Sequence, residues 1–90
     1  MSRMLTLGFE FEDSFYYSVI LVKDNAVSIE YKITVMDGKL QALLTGDNVI
    51  KEKDGQLNYE LPKGQKLKDL KLKIAEALGV LLHMPIQPAF

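Results

Sequence analysis

Three carboxylates early in the chain, Glu10, Glu12 and Glu30, are of the residue type that acid–base catalysis and metal binding require. All three fall on the polar faces of segments in which apolar and polar residues alternate. A catalytic carboxyl needs an apolar pocket that raises its pKa toward neutrality, and the residues around these acids provide none. We therefore expect solvated surface acids and no catalytic residue among them.

The single histidine, His83, and the complete absence of cysteine exclude several kinds of site. Within one chain there can be no two-histidine zinc site, no thiolate nucleophile and no disulfide. The segment around Asp54-Gly55 fails as a calcium loop, because Ile50 and Leu61 would occupy ligand positions. His83 falls near the expected end of a helix, where we predict a capping or interface role. The sequence predicts no enzyme, no metal and no cofactor, and an enzyme that uses the surface carboxylates or His83 is the least favoured alternative.

A cluster of lysines between residues 63 and 73 coincides with the start of a predicted helix. Free backbone amides at a helix start attract anions, so an anion or an acidic partner is one interpretation. On a helical wheel, however, lysines bracket the apolar stripe, and solvated flanks are the favoured interpretation. Lys66 and Lys73 lie on one flank, and Lys68 and Lys71 on the other. The candidate anion-binding residues are Lys63, Lys66 and Lys68.

Tyrosines beside basic residues could form a stacking platform for single-stranded nucleic acid, with Tyr16, Tyr17, Tyr31 and Lys32 as candidates. Tyr31, however, shares its strand face with apolar neighbours such as Ile33, which predicts a core position. The chain carries 11 basic and 12 acidic residues, so its net charge gives no long-range attraction to nucleic acid. Nucleic-acid binding is therefore an alternative that we do not favour.

The elements that position these residues change character at Leu61-Pro62-Lys63-Gly64. Before this point apolar residues recur at about every second position, which predicts strands separated by tight turns. The predicted turns are Asp13-Ser14, Asp24-Asn25, Asp37-Gly38 and Asp54-Gly55. The predicted strands are 5–11, 15–22, 27–35, 39–45, 49–53 and 56–61.

After this point the apolar residues recur at every third or fourth position, which predicts one helix over about 65–83. Pro85 stops further winding and leaves 85–90 as a short extended tail. The expected buried stripe of the helix consists of Leu67, Leu70, Ile74, Ala77, Leu78, Leu81 and Met84, while Val80 and Leu82 project away from it.

Ninety residues are enough for a single domain, 1–90, with a sheet over about 3–61. The predicted fold class is α+β: an antiparallel meander sheet of four to six strands with one C-terminal helix packed on one face. The second strand carries large apolar residues on both faces, and one helix cannot cover both. No segment approaches the roughly 20 apolar residues of a membrane helix, and the N-terminal alternation is unlike a secretory signal, so we expect a cytoplasmic protein without membrane contact.

The C-terminal end is the densest apolar stretch at a chain end, and something must hold it in place. It can fold back to close the protein's own core, be buried in a symmetric dimer, or dock as an extended ligand on another protein. We expect a small non-enzymatic module that binds a macromolecule, as a homodimer or with another protein as partner. The candidate interface residues are Tyr16, Val80, Leu82, Met84, Ile86 and Phe90.

Overall fold

The computed structural model describes residues 2–24, 27–60 and 62–89. The strands lie in the sheet in chain order, and all neighbours are antiparallel except β5 and β6, which are parallel. The prediction of an α+β fold, an antiparallel meander of four to six strands with the C-terminal helix on one face, is confirmed, and the sheet departs from it only in the parallel pair β5 and β6. Within the described residues the elements are β1 (Ser2–Phe11), β2 (Ser14–Asp24), β3 (Ile29–Val35), α1 (Gly38–Leu44), β4 (Val49–Lys53), β5 (Gln56–Glu60), α2 (Gln65–Leu82) and β6 (Ile86–Ala89).

Two hairpins close through two-residue turns in which both residues have left-handed backbone conformations. Asp54 and Gly55 have φ angles of 55° and 77°, which confirms the predicted turn. Glu12 and Asp13 have φ angles of 48° and 64°. The first turn thus lies one residue earlier than predicted, because Ser14 already pairs with Phe11. The predicted turn at Asp24-Asn25 lies partly outside the described residues.

The predicted strand over 39–45 is wrong, because this segment forms the helix α1. The Asp37 carboxylate accepts hydrogen bonds from the backbone N–H groups of Lys39 and Leu40, both at 3.1 Å, and so caps the helix start. Leu40 and Leu44, one helical turn apart, are buried against the core. Asp37 and Gly38 consequently begin a helix instead of forming a tight hairpin turn.

The face of the sheet that packs against α2, called the covered face, carries the hydrophobic core. Alternate residues of each strand point to this face, and the strand register places them side by side. Ser18 is the polar exception, and its hydroxyl donates to the Leu7 carbonyl at 3.1 Å. The buried apolar strand residues are Leu7, Phe9 and Phe11 on β1, Ile20 and Val22 on β2, Tyr31, Ile33 and Val35 on β3, Ile50 on β4, and Leu57 and Tyr59 on β5.

The buried face of α2 differs from the predicted stripe by a rotation about the helix axis. Lys71, expected on a solvated flank, is 2% exposed, whereas Leu81, expected in the stripe, is 46% exposed. Leu82, expected to project away, is half-buried and packs against the core. Ala75 and Gly79 are buried as well, and their small size lets the helix approach its neighbours closely on this side.

The chain after α2 turns back through a left-handed residue and joins the sheet. His83 has φ 56° and ψ 45°, and the N–H of Met84 donates to the Gly79 carbonyl at 2.9 Å. This is the usual αL termination of a helix. The tail is extended, as predicted, and it additionally forms β6 beside β5, with the Leu57 N–H donating to the Pro85 carbonyl at 2.9 Å. The tail thus folds back on its own chain.

Candidate interaction surface

The sheet face opposite α2, called the open face, carries an apolar stripe along β1 and β2. Met4 and Leu21 are paired in register, and Phe15, Tyr17 and Val19 continue the same face of β2. Met4, Phe15 and Tyr17 are 67%, 57% and 59% exposed. The stripe exists because β2 is apolar on both faces, while the packed helices occupy the other face. In the described part of the chain no element covers it.

Two aromatic rings at one end of the stripe are held in place by their neighbours. An ideal Cβ on Gly8 would lie 2.5 Å from Cζ of Phe15, so the Phe15 ring lies directly over this glycine. The Tyr17 ring meets the Phe15 ring edge to face, with centroids 5.2 Å apart and planes at 79°. The aromatic pair is therefore a formed surface feature that needs little ordering on contact with a partner.

Charged residues flank the stripe unequally at its two ends. Glu10, exposed and directly opposite Phe15 in register, lies at the end near the β1–β2 turn, and Asp13 lies in that turn. At the far end the register places Lys23 opposite Glu30 and Glu30 opposite Lys51. Lysines predominate at the far end, where the open-face residues are Lys23, Glu30, Lys32, Lys51 and Lys53.

The candidate interface residues at the C-terminal end are partly brought together. Val80, Met84 and Ile86 line an open groove of about 590 Å³ beside Gly79 and His83. Val80 is 77% exposed, but Met84 and Ile86 are half-buried because the tail packs back onto β5 and α2. The interface role of these residues and of Leu82 stays a prediction, and Phe90 lies outside the described residues.

Tyr16, the candidate interface residue on β2, lies on the covered side of the sheet. Its ring centroid is 5.9 Å from that of Phe9, and the side chain is half-buried against the core. Tyr16 also borders a pocket formed with Asp37 and Lys66 near the start of both helices. Of the tyrosines considered for stacking, Tyr17 alone faces the open side, since Tyr31 is buried.

The candidate anion-binding lysines, Lys63, Lys66 and Lys68, are all exposed around the start of α2. Gly64 precedes this helix and contributes no side-chain cap. Lys66 lies 3.9 Å from a Glu12 carboxylate oxygen, an exposed contact with little effect on stability. Anion binding at these lysines stays a prediction.

Two polar contacts on the covered side were not foreseen from the sequence. The Tyr31 hydroxyl donates to Glu52 at 2.6 Å, and burial, together with this carboxylate, raises the pKa of Tyr31 above its ordinary value. The Lys71 ammonium lies 3.7 Å from an Asp47 carboxylate oxygen, which ties α2 to the loop after α1. Among the described residues no group of three or more histidine, aspartate and glutamate side chains could hold a metal ion.

The open-face residues Phe15, Tyr17, Val19 and Leu21 were not selected as interface candidates from the sequence. The signal was present, because β2 is apolar at every position from Tyr16 to Val22 except Ser18. Whether Tyr16 or Tyr17 faces solvent depends on which face of β2 is covered by α2. The strand register shows this, because it places Ser18, Ile20 and Val22 beside the buried residues of β1 and β3.

The described part of the chain contains no helix that is long and apolar enough to cross a membrane. No protein-family model, no curated protein and no solved structure matches this chain.

Proposed function

We propose that this protein is a cytoplasmic, non-enzymatic interaction module that forms a homodimer through its open face. The observation that supports this most strongly is the exposed apolar stripe with its two fixed aromatic rings. Continuous apolar surface of this kind marks interaction sites in folded proteins, and rigid aromatic side chains contribute strongly to binding.

The size of the open face is suitable for a dimer. Strands β1 and β2 are 10 and 11 residues long, which corresponds to about 33 Å, and the six strands of the sheet, spaced about 4.8 Å apart, span about 24 Å. Allowing for the shorter strands, the face offers on the order of 600 Å², at the lower end of the range that each partner buries in a standard interface.

The occupant that fits best is a second copy of the chain. The stripe is apolar in its middle and has charges of opposite sign at its two ends, so the same surface contains both halves of a complementary pair. The C-terminal groove is a weaker candidate, because its own tail already covers much of its apolar surface.

Sedimentation equilibrium across a micromolar concentration series tests this proposal. We expect a dimer for the unaltered chain and a monomer for Tyr17→Lys, which places a charge within the apolar stripe. Val80→Lys is the matched control, since it adds the same charge to an apolar position on α2 that is more exposed than Tyr17, at 77% against 59%. Circular dichroism of each variant verifies that the fold is intact.

A monomeric unaltered chain would overturn the proposal. A dimer that is disrupted by Val80→Lys and unaffected by Tyr17→Lys would overturn it as well, because the interface would then be the C-terminal groove.

A second candidate function is binding of single-stranded nucleic acid on the same face. The observation that favours it is that Phe15 and Tyr17 share the open face with Lys23 and Lys32. Fluorescence anisotropy with a labelled oligonucleotide tests it, and binding should weaken steeply with salt. No binding at low salt would exclude this candidate.

A further inference from the structure

The charges of the open face are separated along the strand direction. Glu10 lies at the end of β1 near the turn, level with Phe15, and Asp13 follows in the turn itself. Glu12, the other acid of the turn, is already close to Lys66. The opposite end holds Lys23 and its lysine neighbours on β3 and β4, with Glu30 as the one acid among these open-face positions.

This separation decides between two ways of stacking the open faces of two copies. If the β2 strands run parallel, Glu10 faces Glu10 of the second copy and Lys23 faces Lys23, which juxtaposes like charges. If they run antiparallel about Val19, the turn end of each copy lies over the lysine end of the other. Stacked sheets lie about 10 Å apart with their strands within about 30° of alignment, so the long side chains of Glu10 and Lys23 can meet across the interface.

The antiparallel arrangement also matches the apolar side chains. Phe15 and Tyr17 lie on one side of Val19, and Leu21, with Met4 opposite it in register, lies on the other. Reversing one copy brings the rigid aromatic pair of each onto the flexible Met4 and Leu21 of its partner. Methionine adapts well to aromatic surfaces, whereas the parallel arrangement would stack each aromatic pair on its equivalent.

We infer that the two copies pair with antiparallel β2 strands, and that Glu10 and Lys23 are the residues that set this orientation. This inference rests on the proposed homodimer and adds its geometry and its specificity-determining residues. Each charge pair occurs twice by symmetry, so one substitution per chain alters two contacts in the dimer.

A charge-reversal series measured by sedimentation equilibrium tests the inference. Glu10→Lys and Lys23→Glu should each raise the dimer dissociation constant by about tenfold or more, because each creates two like-charge contacts. The double variant carrying both changes should return to near the original constant. Glu76→Lys and Lys68→Glu make the same charge changes at exposed positions on α2 and should leave the constant unchanged. The weakening should shrink at about 1 M salt, where the screening length is about 3 Å.

The possible outcomes distinguish failure of the antiparallel orientation from failure of the homodimer itself. Weakening by both single variants with restoration in the double variant supports the antiparallel arrangement, since parallel strands would leave all three variants near the original constant. If Tyr17→Lys disrupts the dimer but the charge-reversal variants do not change its dissociation constant as expected, the antiparallel orientation is overturned and the homodimer stands. A monomeric unaltered chain overturns both.

Discussion

Gly79 offers the sharpest test of how the C-terminal tail is attached. Replacing glycine by alanine inside a helix ordinarily stabilises it by about 1 kcal/mol, so helix propensity alone predicts that Gly79→Ala is stabilising. The structure predicts the opposite. An ideal Cβ at this position would lie 2.8 Å from the Met84 carbonyl oxygen and 3.0 Å from Cγ2 of Ile86.

The closer of these atoms belongs to the backbone and cannot rotate away. Met84 is held by its own N–H, which donates to the Gly79 carbonyl, and the next carbonyl, that of Pro85, accepts from Leu57 on β5. Relieving the contact therefore requires a shift of the whole tail. Overpacking of this kind costs about 1–3 kcal/mol, so the propensity gain of about 1 kcal/mol is offset and a net loss of up to about 2 kcal/mol is expected.

Chemical unfolding at one fixed protein concentration measures this change, with Gly38→Ala as the matched control. Gly38 is also helical, but nothing lies within 4 Å of its ideal Cβ, so alanine there should stabilise by about 0.4–1 kcal/mol. Hydrogen exchange adds a local readout, since loosening of β6 should speed exchange of the Leu57 amide. A Gly79→Ala variant as stable as the Gly38→Ala variant, with unchanged Leu57 exchange, would refute the described attachment of the tail.

The polar contacts of the covered side give two further predictions. Asp47→Asn should lower the unfolding free energy by about 1–3 kcal/mol, because it removes a negative charge beside the buried Lys71 ammonium. Lys71→Met should lower the unfolding free energy by less, because it leaves no buried charge without its partner. Urea denaturation measures both variants, and the reverse order of stability would contradict this prediction. The pKa of Tyr31 is raised above its ordinary value of 10.0 in the folded state, so the tyrosine stabilises the fold fully below that pH and progressively less as pH rises above it. Tyr31→Phe should therefore make the loss of stability between about pH 9 and pH 11 shallower, and an unchanged slope in thermal melts over this range would count against burial of the hydroxyl.

The sheet could be predicted where apolar and polar residues alternate strictly, as they do in β1 and β3. There the buried residues Phe9, Tyr31 and Ile33 follow directly from period-two spacing. The helix α1 could not be separated from a strand in the same way, because seven residues contain too few apolar positions to define a period. Its signal was the Asp37 side chain, which caps a helix as readily as it begins a turn.

The buried face of α2 and the choice of open face depended on long-range packing. Helical spacing predicts the helix itself. It does not predict a lysine in the core, so the predicted buried stripe lies to one side of Lys71 and Ala75, which are buried in the structure. Either Tyr16 or Tyr17 faces solvent, depending on the side of the sheet on which α2 packs. The periodicity within β2 does not indicate that side, because β2 is apolar on both faces. The parallel pairing of β6 depends on the close approach at Gly79, which no local pattern encodes.

We propose above that the open face binds a second copy of the chain. Sedimentation equilibrium of the unaltered chain beside Tyr17→Lys, at about 0.1 M salt and micromolar concentration, tests it most directly. We expect a dimer that Tyr17→Lys converts to a folded monomer. If the unaltered chain sediments as a monomer throughout the concentration series, the proposed homodimer is wrong.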